Sequence, residues 1–126
     1  MSTNHASYTK WKSVFAKILR FTLLIYDIDY VEFCNQKNVS DSAFRRWRMG
    51  SRMPQSASFT ELKEFIRSNI SSDITKFDYI HSSFLAIFSE INESSIYDSL
   101  CNRFINPEEF VIETFNVVFH LAHNQS

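Results

Sequence analysis

The sequence predicts an all-α protein: a helix-turn-helix bundle followed by a C-terminal helical extension. Three observations carry this expectation. Apolar residues recur at three- and four-residue spacing nearly throughout the 126 residues. Only 1 Gly and 2 Pro are present, too few for the tight turns of a sandwich or barrel. Helix start and stop residues fall between the periodic segments.

Each element follows from its own pattern. Trp11, Val14, Phe15, Ile18, Phe21, Thr22 and Ile25 predict a first helix over about 8–26. Asp29 with Glu32 forms a capping-box pattern that opens a short second helix to about Lys37, with Phe33 and Cys34 inward. Asn38 tolerates the left-handed conformation that ends such a helix. Val39 is expected to be buried in the turn. Ser40 is a strong N-cap for a third helix over about 41–49, whose Phe44 and Trp47 face inward. Gly50, the sole glycine, stands at its C-cap, and Pro54 bars continuation. Ser58 and Glu61 form a second capping-box pattern, predicting a fourth helix to about Ile70 with Phe59, Leu62, Phe65 and Ile66 inward.

The second half continues in the same way. Phe77, Ile80, Phe84, Leu85, Phe88 and Ile91 predict a helix over about 74–92, and Ile96, Leu100 and Phe104 a shorter one over 95–104. Asn106-Pro107-Glu108-Glu109 places a cap, a proline and two acids at the start of a last helix over about 107–122. That helix has almost no polar face, so it must be buried all round. It is either a central core helix or the seam of a homodimer through Phe110, Phe115, Val118 and Phe119. The homodimer seam is expected, because a terminal helix in a small chain is hard to surround.

Charge divides the chain unevenly. Residues 1–72 carry 11 Lys+Arg against 6 Asp+Glu, a net of +5. Residues 73–126 carry 2 against 8, a net of −6. The asymmetry predicts a polyanion-facing region over 1–72 and an acidic dimerisation or partner-binding region over 73–126. The short polar stretch Ser68–Asp73 joins packed helices rather than independent domains.

Other classes find little support. No apolar run is long enough for a transmembrane helix, and no secretory leader pattern is visible, so a cytoplasmic protein without membrane partners is expected. Cys34 and Cys101 then read as reduced thiols. His120 and His123 have a spacing two metal ligands use, but they also sit at a helix end, where the dipole favours histidine. No catalytic triad, Walker or HExxH pattern is present, so neither enzyme activity nor a cofactor or metal is expected.

The residues of the third helix carry the functional expectation. Ser42, Arg45 and Arg46 point outward, Asp41 opens the helix, and Arg48, Ser51 and Arg52 follow at its end and in the loop. A short helix of this kind enters a DNA major groove, where Arg binds guanine O6 and N7 in a bidentate manner. Arg46 is the first choice for base contact and Arg45 the second. Ser42 reaches base or backbone, and Arg48 and Arg52 suit phosphate.

The stretch Ile28 to Pro54, IDYVEFCNQKNVSDSAFRRWRMGSRMP, resembles the helix-turn-helix of the lambda-repressor-like, Xre-type transcription regulators. The resemblance extends over about 28–66. Ile28 and Asp29 match the opening of the family's second helix, Phe33 and Cys34 its Leu-Ala pair, and Asn38-Val39-Ser40 its Gly-Val-Ser turn. Phe44 and Trp47 match the inward residues of its recognition helix, Gly50 and Pro54 the loop that follows, and Phe59 to Ile66 the next helix. Lys37 and Asn38 stand where the family has an apolar residue and glycine. The resemblance implies a phosphate contact at Tyr30 and a regulator of bacterial or phage type that binds a palindromic operator in double-stranded DNA as a homodimer. The rival expectation is a protein-binding module derived from the same fold, antitoxin-like or a phage-encoded inhibitor, using residues 73–126. Asp41 and the acidic half motivate it.

Overall fold

A computed structural model describes residues 2–123, with side chains from residue 7 onward. Among them are seven helices and no strand: α1 (Ser2–Ile25), α2 (Tyr30–Lys37), α3 (Asp41–Met49), α4 (Ser56–Asn69), α5 (Ile74–Glu90), α6 (Ser94–Arg103) and α7 (Pro107–His123). No described helix is long and apolar enough to cross a membrane.

Local chemistry accounts for most of the boundaries. Asp29, Ser40 and Asp73 cap α2, α3 and α5 by accepting backbone N–H bonds. Asn106 does the same for α7, where Oδ1 accepts from the amides of Glu108 and Glu109 at 2.9 and 3.2 Å. Asn38 (φ 55°) and Gly50 (φ 81°) end α2 and α3 in the left-handed region. The second capping box does not form. Helix α4 starts at Ser56, a turn-half earlier than Ser58, and its flanking Gln55 makes no side-chain cap. The Phe59 amide already donates to the Gln55 carbonyl at 2.8 Å, so Ser58 lies inside the first turn.

The positive φ of Gly50 disfavours any side chain, while a Cβ there would make an ordinary contact, 3.4 Å from the Cβ of Ala16 on α1. Gly50→Ala is therefore expected to lower stability by about 1–2 kcal/mol, read as a lower urea midpoint with an unchanged slope.

All seven helices share one apolar core. Helix α1 is the spine: it lies against α7, α5 and α3. Its buried stripe runs Trp11, Val14, Phe15, Ile18, Leu19 and Leu23, with Tyr26 buried just past its end, which leaves the expected inward Phe21 on the flank and 38% exposed. On α5, Leu85 is likewise outward, and Ile87 takes the inward place beside Phe84 and Phe88. Val39 is only half-buried. Thr22 and Thr114, the two buried polar side chains among the described residues, donate to the carbonyls of Ile18 and Phe110 at 2.8 and 2.7 Å. No polar atom of theirs is left unpaired in the core.

Helix α7 corrects the expected dimer seam. Phe110, Phe115 and Val118 are fully buried inside this one chain. Phe115 meets Phe15 of α1 edge-on at 5.6 Å between ring centroids. Phe110 packs against Phe77 and Phe84 of α5. The half-buried Phe119 stacks on Phe59 of α4 at 4.0 Å, with the rings 6° from parallel. The reason is length: α1 has 24 residues, about 36 Å of helix, and can cover a 17-residue partner along its whole run. With α4 and α6 on its other sides, α7 is the central core helix. Residues 1–72 and 73–126 accordingly share a core.

Candidate nucleic-acid interface

Helices α2 and α3 are two short helices joined by three residues, Asn38 to Ser40. The N–H of Asn38 and that of Val39 both return to the Cys34 carbonyl, which closes the turn. Ser40 Oγ accepts from the Ala43 amide at 3.0 Å and starts α3 in its new direction. At the far end, the amides of Gly50, Ser51 and Arg52 converge on the Arg46 carbonyl.

Below α3 lies an aromatic bed. Phe44 is completely buried and Trp47 nearly so. Their rings are 5.4 Å apart, and Phe33 touches Phe44, Trp47 and Phe65. Cys34 is buried in the same layer. Burial pushes its thiol up, Asp41 adds to this, and Arg48 opposes it. Such a bed restricts the rotation of a nine-residue helix, because each rotation would open a cavity.

The outward face is Asp41, Ser42, Arg45, Arg46 and Met49, with Ser51 and Arg52 just beyond, all exposed. No ion pair among the described residues engages Arg45, Arg46 or Arg52. Tyr30, Asp41, Arg45, Arg48 and Met49 line an open groove of about 400 Å³ along this face.

Arg48 is placed differently from its neighbours. Its guanidinium lies over the Tyr30 ring at 4.3 Å and within 5.9 Å of Phe44, and Tyr30 itself stacks on Phe44. Arg48 is half-buried, and its Nε is buried with no hydrogen-bond partner. Tyr30 and Arg48, expected as two separate phosphate contacts, thus form one packed unit joining α2 to α3. Both side chains also line a second groove, together with Arg20, Leu23, Leu24 and Asp27.

Two basic residues bordering this face were not among the expected contacts. Arg20 of α1 donates from Nη1 to the Arg48 carbonyl. Lys12, also of α1, reaches the Ser51 carbonyl at 3.5 Å. Their part depends on α1 packing against α3, which no local pattern reveals.

The charge asymmetry is partly consumed inside the molecule. Lys10 pairs with Glu93 at 2.7 Å, Lys17 with Glu90 at 2.9 Å and Arg67 with Glu108 at 3.8 Å. Each joins the basic half to the acidic one. Lys37 pairs with Glu61 at 3.9 Å within the basic half. The cations left without an acidic partner concentrate on α3, its loop and the adjoining part of α1. Among the described residues no cluster of His, Cys, Asp or Glu is suited to a metal ion. No family model, no curated protein and no solved structure matches this chain.

Proposed function

We propose that this protein is a sequence-specific DNA-binding transcriptional regulator of bacterial or phage type. In this reading α2 and α3 form a helix-turn-helix, and residues 41–52 meet double-stranded DNA. The single observation that carries it is the exposure of Arg45 and Arg46 on a capped helix anchored from beneath by buried Phe44 and Trp47, with no acidic partner. A rigid helix presenting two guanidinium groups on one face suits a major groove. Arg46 takes the base-reading role, Arg45 and Ser42 assist, and Arg52 contacts phosphate. A homodimer on a palindromic operator belongs to the same proposal, with self-association through a surface other than α7.

Arg46→Ala is expected to lower discrimination between operator and random DNA by roughly tenfold to a hundredfold, measured by gel shift with competitor DNA. Arg52→Ala should weaken both equally and reduce the salt slope by about one. Unchanged discrimination in Arg46→Ala removes its reading role. Sedimentation of the free protein tests the dimer.

A second reading, a protein-binding module built on the same helices, is favoured by one observation. Ile74, Tyr79 and Ile105 of the acidic half are 73%, 61% and 86% exposed, and Asp41 stands on the α3 face itself. Tight capture of a protein partner, with no salt-sensitive DNA binding, would favour this reading over the first.

A further inference from the structure

Away from α3, three reactive side chains meet at the seam of α5 and α6. Tyr97 and Cys101 lie one turn apart on α6, and His81 faces them from α5. Nδ1 of His81 stands 2.8 Å from the Tyr97 hydroxyl and 3.7 Å from Cys101 Sγ. Aromatic rings close the other sides of the imidazole. Phe110 of α7 lies 4.4 Å away at 31°, and Phe77 lies 4.4 Å away nearly edge-on. All three polar residues are half-buried rather than enclosed.

The proton positions follow from the surroundings. Burial lowers the His81 pKa, with Asp78 opposing, which favours the neutral imidazole, and in the tautomer that carries its proton on Nε2 the Nδ1 atom accepts. Burial pushes the Tyr97 hydroxyl well up, and its hydrogen bond with Cys101 and the nearby Asp98 add to this, so it remains a donor at any physiological pH. Nδ1 has room for one proton, and the Tyr97 O–H and the Cys101 S–H compete for it. When the thiol proton moves to Nδ1, the Tyr97 O–H turns to the sulfur. The nearby carboxylate of Asp78 favours the imidazolium that results. Cys34 offers an internal contrast: it is buried, and the charges that act on its thiol are the carboxylate of Asp41 and the guanidinium of Arg48.

We propose that Cys101 is an oxidisable site that takes small hydroperoxides, with His81 as its base and Tyr97 as the donor that steadies the sulfur. Nδ1 of His81 takes the thiol proton. The sulfur lone pair attacks one oxygen of hydrogen peroxide, an S–O bond forms and the O–O bond breaks. The departing hydroxide collects the proton from the imidazolium and leaves as water. Sulfur is oxidised by two electrons to the sulfenic acid, and the peroxide is reduced by two. No cavity is needed for so small an oxidant.

The test uses the full chain with hydrogen peroxide near neutral pH, dimedone to trap sulfenic acid, and peptide mass mapping. Cys101 is expected to label about tenfold faster than both Cys34 and the cysteine of a free peptide spanning residues 95–106. His81→Gln keeps a polar side chain but no base. It should bring Cys101 to about the peptide's rate while Cys34 stays unchanged. The comparison of the unaltered protein with the peptide needs no variant, so it stands even if the substitution disturbs folding. Labelling of Cys101 at the peptide's rate in the native protein, or an undiminished rate in folded His81→Gln, overturns the proposal.

Discussion

Phe115→Ala should destabilise the protein by about 3–5 kcal/mol, a large part of what holds a domain of this size together. The side chain is fully buried at the middle of α7, where it meets Phe15 edge-on. Removing the ring forfeits its transfer free energy and leaves a cavity that α1, a long and well-packed helix, has little freedom to close. A loss of this size lowers the thermal midpoint by roughly 10–20 °C. The decisive feature is its independence of protein concentration. A residue at a dimer seam would give a midpoint that rises with concentration, because association would then contribute to folding. Phe115 contacts its own chain, so the shift should be the same across a hundredfold dilution. Leu85→Ala, at an outward position of α5, is the control and should change stability by no more than about 0.5 kcal/mol. A Phe115→Ala effect below about 1 kcal/mol, or a midpoint that follows concentration, would return α7 to the interface role that its composition first suggested.

The contrast between α3 and α7 shows what could be read from the chain and what could not. Ser40, Asn38 and Gly50 act through atoms within four residues of themselves, so the bounds of α2 and α3 follow from local chemistry. The orientation of α3 was also legible, because Phe44 and Trp47 are spaced three apart and no other face of that helix is apolar. For α7, composition states only that its surface must be covered. Whether the cover is α1 or a second chain depends on long-range packing, which periodicity does not encode. The same holds for charge. The sign of each half is plain in the sequence, yet the ion pairs of Lys10 with Glu93 and Lys17 with Glu90 span 83 and 73 residues. The Tyr30–Arg48 unit escaped for a related reason. Tyr30 lies one turn from the buried Phe33 and Cys34 and Arg48 one turn from the buried Phe44, so both border the inward faces of their helices, and only the angle between α2 and α3 lays one upon the other.

Charge reversal on α3, Arg45→Glu with Arg46→Glu, is the largest change the proposed function allows without disturbing the fold. Both side chains are exposed and neither makes an ion pair among the described residues, so little stabilising contact is lost. The cost to folding is small but has a definite sign. An anion at position 46 sits in the last turn of α3, at the negative end of its dipole, and one at position 45 lies a turn away from Asp41. Together these should lower stability by about 1 kcal/mol, well short of unfolding the domain. The effect on DNA is of another order. Two guanidinium contacts vanish and two carboxylates face the phosphates. Affinity should fall by a factor of about a thousand or more at moderate salt, with a shallower dependence on salt concentration. Arg46→Lys separates charge from geometry: it keeps the cation but loses the bidentate fork, so binding to random DNA should persist while preference for the operator declines. Circular dichroism and the urea midpoint establish that the doubly reversed protein remains folded. If that folded protein binds DNA as the unaltered one does, α3 is not the reading element. The exposed arginines would then need another partner, and the exposed Ile74 and Tyr79 of α5 would be the next place to look for what this bundle holds.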